Sequence, residues 1–183
     1  MSAVVFNGEE KVGMARALCE QGRWAEVLAF AQKWRVENPS DYRALYYTGL
    51  GFSGTNQFAD AEAAYRLALT METSDFKVWN NLAGLLYENM RREAEGVGCM
   101  EQALKLDPRN KLGWSNLASM IGRMGRHDQA LEYADRALAL DPNFVEAHLH
   151  KAAAARALGK KEIVQEVCTA LAAIEPEKFC RAR

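Results

Sequence analysis

Histidine and cysteine are among the residue types in this chain of 183 residues whose chemistry could serve catalysis or metal binding. His148 and His150 are two residues apart, so on a helix they point to different sides and cannot chelate one metal as an i, i+4 pair could. The cysteines form no C-x-x-C pair of the kind that holds zinc. We therefore predict no metal site and no cofactor. The third histidine is His127, and the cysteines are Cys19, Cys99, Cys168 and Cys180.

The cysteines are expected to be reduced thiols. We expect the first three to pack as small hydrophobic side chains, with Cys180 the candidate for exposure near the end of the chain. Three glycines, Gly49, Gly51 and Gly54, superficially suggest a phosphate-binding loop. They fall within and at the end of a periodic helical pattern, however, whereas a phosphate loop lies between a strand and a helix. The sequence offers little toward an activated nucleophile or a pair of carboxylates in distinct environments, so we predict that the protein is not an enzyme.

The charge of the chain argues against nucleic acid or an anionic membrane as a partner. Its 23 Lys and Arg residues nearly balance its 24 Asp and Glu residues, for a formal net charge of -1. No global field therefore attracts polyanions. Four basic residues could form a thin stripe, but Glu88 and Glu146 interrupt it. The four are Arg43, Lys77, Arg123 and Arg156.

Hydropathy predicts a protein without a membrane segment. No stretch approaches the run of about 20 apolar residues that a membrane-spanning helix requires. The segment from Met1 to Glu10 also lacks a basic stretch followed by an apolar one, the pattern of a secretory signal. We expect a soluble, cytoplasmic protein; a signal removed by processing would leave the same pattern.

The prolines reveal an internal period. Proline interrupts helices because it lacks an amide donor and clashes with the preceding turn. The four prolines are separated by 69, 34 and 34 residues, where 69 is twice 34 plus one, and Trp79 and Trp114 are 35 apart. Such self-similarity predicts stacked helical repeats, with one extra residue in the third repeat, expected in the turn around Met90 to Glu93. The prolines are Pro39, Pro108, Pro142 and Pro176, and the repeats span 8–41, 42–75, 76–110, 111–144 and 145–178.

Within the fourth repeat, apolar residues recur at helical spacing. Trp114, Leu117 and Ile121 are three and four residues apart, which places them on one face of a first helix. Gly125 then allows a sharp turn. Small side chains recur on the predicted second helix and let the two helices approach closely. These small residues are Ala130, Ala134 and Ala137.

The pattern resembles the tetratricopeptide repeat, a 34-residue unit with W-x2-L-G-x2-Y, then A-x3-F, then P. The resemblance covers residues 8–178. It implies an all-α fold, a right-handed α-solenoid of five tandem helix-turn-helix repeats, forming a single domain over residues 1–183. The matching residues of the fourth repeat are Trp114, Leu117, Ala118, Ile121, Gly125, Ala130, Ala137 and Pro142.

Two repeats depart from the family pattern. In the first, Ala31 stands where the family has a large aromatic residue and Trp34 where it has alanine. We interpret this as a compensating exchange, since cores tolerate repacking when total volume is conserved. In the fifth repeat, Val164, Cys168 and Leu171 take the three inner positions of the second helix.

The resemblance places the default binding site on the first helices, which in this family line a concave groove. Outward side chains there are expected to bind a protein or peptide partner. The candidates carried over onto this chain are Tyr46, Tyr47, Leu50, Asn80, Asn81, Gly84, Ser115, Asn116, Ser119, Leu149, His150 and Ala153, with Arg43, Lys77, Arg123 and Arg156 nearby.

Asn81 and Asn116 occupy the same phase of their repeats. An asparagine amide both donates and accepts, so a row of them could pair with the backbone of an extended peptide. The alternative is that both are polar residues on a wet helix face. Tyr46 and Tyr47 offer rigid amphipathic area for an interface, or one of them packs against a neighbouring repeat.

Some family members grip a C-terminal carboxylate with Lys and Asn residues spread over three repeats. That constellation is not expected here, because Glu146 and His150 stand where basic residues would be needed. We predict a non-enzymatic adaptor that binds a peptide or protein segment in its groove. One alternative is a chaperone for a secretion or envelope-assembly substrate, which resembles what several bacterial members do.

The last predicted helix has a broad apolar surface, and the ends of stacked repeats need a polar cap. This surface suggests a second alternative, a self-associating assembly protein whose terminal repeats pack on a second copy or on a larger partner. Otherwise Phe179 and the tail fold back over it. The apolar residues are Ile163, Val164, Val167, Cys168, Leu171, Ala172 and Ile174.

Overall fold

The computed structural model describes residues 7–179, with side chains through residue 177. The expectations for Cys180 and for the side chain of Phe179 lie outside the described residues and stay predictions. Contacts group the chain into two compact units, Met1–Cys99 and Met100–Arg183. They are called the N-terminal and C-terminal units below, and each is described by itself.

The described residues are helical throughout their regular structure and contain no β-strand, which confirms the all-α prediction. None of the described helices is long and apolar enough to cross a membrane. The N-terminal unit contains α1 (Gly8–Glu20), α2 (Trp24–Glu37), α3 (Tyr42–Gly54), α4 (Phe58–Met71), α5 (Phe76–Gly84), a π-helical segment (Leu85–Asn89) and the start of α6 (Glu93–Leu106). The C-terminal unit contains the rest of α6, then α7 (Lys111–Arg123), α8 (His127–Leu140), α9 (Val145–Ala157), α10 (Lys161–Ile174) and α11 (Pro176–Phe179).

The first helix of each predicted repeat begins at the first residue of that repeat, at positions 8, 42, 76, 111 and 145. A short polar side chain stands immediately before four of these helices and accepts a hydrogen bond from the first turn. Such a cap satisfies one of the amide groups that a helix start leaves unpaired. The capping residues are Asn7, Asp41, Asp75 and Asn110.

The turn between the two helices of each repeat contains one residue in the left-handed region. These five residues have φ between 56° and 81° and recur at intervals of 34 or 35 residues. Glycine adopts this conformation without steric cost, whereas other residues are strained in it. The predicted sharp turn at Gly125 is therefore confirmed. The five residues are Gly22, Asn56, Arg91, Gly125 and Gly159.

The extra residue of the third repeat lies at the end of its first helix. The predicted location, in the turn around Met90 to Glu93, is wrong by a few residues. The amide of Met90 donates to the carbonyl of Leu85, five residues earlier, whereas the equivalent amide of Met124 bonds four residues earlier, to Met120. A π-helical turn accommodates one more residue than an α-helical turn.

The core of the N-terminal unit contains the exchanged pair of the first repeat. Both Ala31 and Trp34 are buried, as the proposed exchange of large and small residues requires. The ring of Trp34 stacks on Tyr47 of α3, with centroids 5.9 Å apart. Cys19 is half-buried against this cluster, and Cys99 is buried.

In the C-terminal unit the small residues of α8 are buried, as predicted, but Cys168 of α10 is exposed. The prediction that Cys168 packs inside its repeat is therefore wrong. The equivalent residue of α8, Ala134, is fully buried and α9 packs against that helix. Among the described residues, the short α11 is the only helix that follows α10, so the face carrying Cys168 lacks an equivalent cover.

Candidate functional site

Four of the candidate residues line a single cleft in the C-terminal unit. This cleft has a volume of about 180 Å³ and lies between α7 and α9, two successive first helices. Ser119 and Arg123 reach it from α7, and His150 and Ala153 reach it from α9. We call it the α7–α9 groove. The other lining residues are Ala118, Gly122, His127 and Ala154.

Small residues form much of the α7–α9 groove. Ala118 and Ala154 are buried beneath it. Gly122 has the side chain of Ala130 close by, since a Cβ built on the glycine would lie 3.4 Å from the Ala130 Cβ. Because these side chains barely project from their helices, the backbone of a bound segment can approach both helices closely.

The ionisable side chains that line the groove are Arg123, His127 and His150, and its described lining contains no carboxylate. Burial lowers the pKa of His150 below its usual value, and the carboxylate of Glu146, one turn earlier on α9, opposes that shift. His150 therefore holds its proton less readily than a solvated imidazole does.

A second cleft lies where α9 ends and α10 begins. Its volume is about 380 Å³, and three basic side chains line it. Of these, Arg156 was a candidate from the sequence, whereas Lys160 and Lys161 were not. The adjacent lysines after Gly159, at the start of the second helix, were the available signal. The remaining lining residues are Gly159, Val164 and Gln165.

Tyr46 and Asn81 meet in the N-terminal unit. The Asn81 Nδ2 donates to the hydroxyl of Tyr46 at 3.2 Å and to the carbonyl of Lys77 at 2.8 Å. Both amide hydrogens of Asn81 are thus engaged within the protein, and Oδ1 is the atom left to accept from a ligand. Burial raises the pKa of Tyr46, so its hydroxyl stays protonated.

Tyr47 and Ser115 are buried, so their prediction as outward groove residues is wrong. Tyr47 is 7% exposed and stacks on Trp34, which leaves Tyr46 as the more accessible tyrosine of the pair. Ser115 is 2% exposed and lies one helical turn before the buried Ala118. Neither side chain is therefore exposed as an outward contact of the first helices.

The guanidinium of Arg43 is engaged in ion pairs within the protein. Its guanidinium bonds Asp41 at 2.8 Å and Glu9 at 2.6 Å. The hydrogen bond that Arg43 donates to Asp41 is the main cause that raises the pKa of Arg43. Leu50 packs against the core cluster of this unit. The remaining candidates are accessible: Lys77, Asn116, Leu149, Ala153 and Arg156 are exposed, and Asn80 and Gly84 are partly exposed.

Sequence reasoning missed His127, which lines the α7–α9 groove from the start of α8. Its position directly after the Gly125 turn, where a second helix returns beside the first, was the available signal. The side chains of the two other histidines point to different sides of α9, as expected: His148 is buried and His150 lines the groove. Within residues 7–179, no three His, Cys, Asp or Glu side chains are grouped so that they could hold a metal ion.

Residues 76–110 and residues 122–162 each match a family model described as tetratricopeptide repeat. A peroxisomal targeting signal receptor of Saccharomyces cerevisiae is 27% identical to this chain over 139 residues, which are 75% of this chain and 22% of the receptor. This chain thus spans about a fifth of the length of that relative.

Solved structures agree with these matches at the level of the fold. PilF of Pseudomonas aeruginosa superposes with a TM-score of 0.82 and 21% identity, covering 91% of this chain and 75% of PilF. YrrB, described as a TPR protein with an unusual peptide-binding site, superposes with a TM-score of 0.73 and 17% identity, covering 91% of this chain and 86% of YrrB. Residues 76–110 and 122–162 therefore carry tetratricopeptide repeats, and the structural likenesses show that the chain shares the fold of these two proteins.

Proposed function

We propose that this protein is a non-catalytic binding module that holds an extended peptide segment of a partner protein against its first helices. The α7–α9 groove is the observation that carries this proposal. Similarity to a receptor for a targeting signal and to a structure with a peptide-binding site supports a role of this kind.

The groove suits a peptide better than a compact small molecule. It is an open cleft of about 180 Å³, below the roughly 300–1,000 Å³ typical of small-molecule pockets. Ser119 can donate to and accept from a peptide backbone beside it. Asn116 of α7 and Leu149 of α9 are exposed and offer further contact points on the same two helices.

In the N-terminal unit, Tyr46 and Asn81 offer a second contact. The Oδ1 of Asn81 can accept from a peptide amide, while the Tyr46 hydroxyl, which accepts from Asn81, keeps its own hydrogen to donate. One donor and one acceptor side by side match the alternation of an extended backbone.

Binding can be tested with peptides selected from a random display library. We expect Ala153→Trp, which fills the α7–α9 groove from an exposed position, to weaken selected peptides about tenfold or more, which corresponds to about 1.4 kcal/mol. Ala139→Trp, at an exposed position of α8, is the matched control and should bind normally. Peptides held equally by both variants would remove the groove from consideration, provided that both melt near the wild-type temperature.

Self-association is a second candidate function, favoured by the outer face of α10. Cys168 on that face is exposed and Val164 is partly exposed, at positions where α8 has buried alanines. Light scattering of concentrated protein in a reducing buffer should then show a dimer or larger species that Val164→Glu dissolves. A protein that stays monomeric would exclude this candidate.

A further inference from the structure

We infer that the segment bound in the α7–α9 groove is acidic, with its carboxylates pairing with Arg156 and Lys161 where α9 meets α10. This inference rests on the proposed function and adds the chemistry of the partner. It is carried by the cleft at that junction and by the distribution of ion pairs around it.

The second cleft, lined by Arg156, Lys160 and Lys161 and called the basic cleft here, shares helix α9 with the α7–α9 groove. On α9, His150 and Ala153 line the groove, and Arg156 lies three residues beyond Ala153 in the basic cleft. An extended peptide advances by about 3.3 Å per residue, so a few residues span one helical turn of about 5.4 Å. A segment lying along α9 therefore reaches both clefts.

Basic residues outnumber acidic ones in the turns that follow α7 and α9, the two helices of the groove. The segments 123–128 and 156–162 together contain five Lys and Arg residues and two carboxylates, in a chain whose formal net charge is -1. The five are Arg123, Arg126, Arg156, Lys160 and Lys161, and the two are Asp128 and Glu162. Positive charge is thus local to this edge and does not reflect the composition of the chain.

Some lysines of this region pair with carboxylates of the protein itself, but among the described residues Arg156 and Lys161 have no such partner. Lys151 pairs with Asp135 at 2.8 Å and with Glu166 at 3.8 Å, and Lys160 pairs with Asp128 at 2.9 Å. No carboxylate of the described residues pairs with Arg156 or Lys161. Arg156 and Lys161 are therefore available to the carboxylates of another chain.

The lining of the two clefts favours a peptide over a nucleic acid. Single-stranded nucleic acids are held by a basic groove together with aromatic side chains on which bases stack. Neither cleft has a Phe, Tyr or Trp among its described lining residues. Small residues along the groove instead allow a peptide backbone to lie close to the helices, with charge recognition at the end.

The test is a peptide array whose members range from strongly acidic to strongly basic, probed with the whole chain. We expect bound peptides to be enriched in Asp and Glu, and their affinity to fall as salt is raised, because exposed ion pairs are screened. The double variant Arg156→Gln, Lys161→Gln should bind them about three- to tenfold more weakly, the loss expected for two exposed ion pairs.

Lys105→Gln with Arg109→Gln is the matched control, since both residues are exposed in the same unit and the change in charge is equal. This control should bind like the wild type. The inference would be overturned if Ala153→Trp weakens binding but the bound peptides show no preference for acidic residues. The proposed function would then still stand. No peptide bound at the groove would overturn both. If a single-stranded DNA oligonucleotide displaces the peptides and its binding depends on the same two residues, the partner is a nucleic acid and the inference of an acidic peptide is wrong.

Discussion

The ring nitrogen Nε2 of His148 lies 2.8 Å from the carbonyl oxygen of Pro142. In the preceding repeat, Trp114 Nε1 donates to the carbonyl of Pro108 at 2.9 Å, with each residue 34 positions earlier. Because a carbonyl oxygen can only accept, Nε2 of His148 must carry the hydrogen. The imidazole therefore replaces an indole in tying the first helix to the loop before it.

Loss of this hydrogen bond should be measurable as a loss of stability. His148→Phe keeps an aromatic ring but leaves the Pro142 carbonyl without its donor, so we expect the free energy of unfolding to fall by about 1 kcal/mol. Urea denaturation measures the change. His150→Phe, on the same helix, is the control and should change stability less; an equal loss in both variants would show that the His148 bond contributes little.

The left-handed turn of the third repeat offers a stabilising substitution. Arg91 has φ of 56° where three of the other repeats have glycine. Arg91→Gly should therefore raise the free energy of unfolding by about 0.5–1 kcal/mol, since the strain of a side chain in this region outweighs the added flexibility of glycine. Its ion pair with Glu93 is exposed and 4.0 Å long, so its loss should cost little.

The reverse substitution is the control for Arg91→Gly. Gly125→Arg places a side chain at φ of 81° and should lower the melting temperature while Arg91→Gly raises it. Thermal unfolding followed by circular dichroism compares the two. Shifts in the same direction would contradict the assigned cause.

Close packing of α3 against Tyr65 makes Gly49 intolerant of any side chain. A Cβ at this position would lie 2.5 Å from Cε1 of Tyr65, whose ring is buried. We expect Gly49→Ala to destabilise the protein by about 1–3 kcal/mol, the usual cost of overpacking. Gly13→Ala, on α1 with open space around the new methyl, should instead stabilise by roughly 0.5–1 kcal/mol. Urea midpoints that move together would contradict this contrast.

Binding of an acidic peptide should depend on the protonation of His150. Burial lowers the pKa of this imidazole and Glu146 opposes the shift, so near pH 7 the ring is mostly neutral. A bound carboxylate favours the protonated form, and linkage then requires affinity to rise as the pH falls from about 7.5 to about 6. Peptide carboxylates stay ionised over this window.

His150→Gln should remove most of that rise in affinity. The other charged or titratable groups facing the groove are Arg123 from α7 and His127 from α8, so His127→Gln is the necessary comparison. Fluorescence anisotropy at several pH values measures both variants. If His127→Gln, and not His150→Gln, flattens the profile, the assignment to His150 is wrong.

Much of the helical framework could be predicted from the spacing of residue types. The proline and tryptophan period placed the first helices at the residues where α1, α3, α5, α7 and α9 begin. This worked because caps, turn glycines and buried alanines act locally, within one or two helical turns of the residue concerned. Arg91 adopts the left-handed conformation at the turn position of the third repeat although it is not glycine, and the period alone did not identify it as the turn residue.

The candidate site was less predictable because direction matters there as well as spacing. Repeat phase selected Ser119, Arg123, His150 and Ala153, which line one cleft, but it also selected Tyr47 and Ser115, which are buried. A small rotation of a helix decides whether a border residue faces solvent or its neighbour, and a repeat pattern does not encode that rotation.

The sequence by itself determined that this chain forms repeated helical hairpins and where each hairpin starts, because those features follow from short-range contacts repeated along the chain. Tertiary structure alone decided the rest: the bond between Asn81 and Tyr46, 35 residues apart, the exposure of Cys168, and the lack of a carboxylate partner for Arg156 and Lys161 within the described part of the chain. Each depends on which helices pack side by side and where the packing ends, and therefore on contacts between residues far apart in sequence.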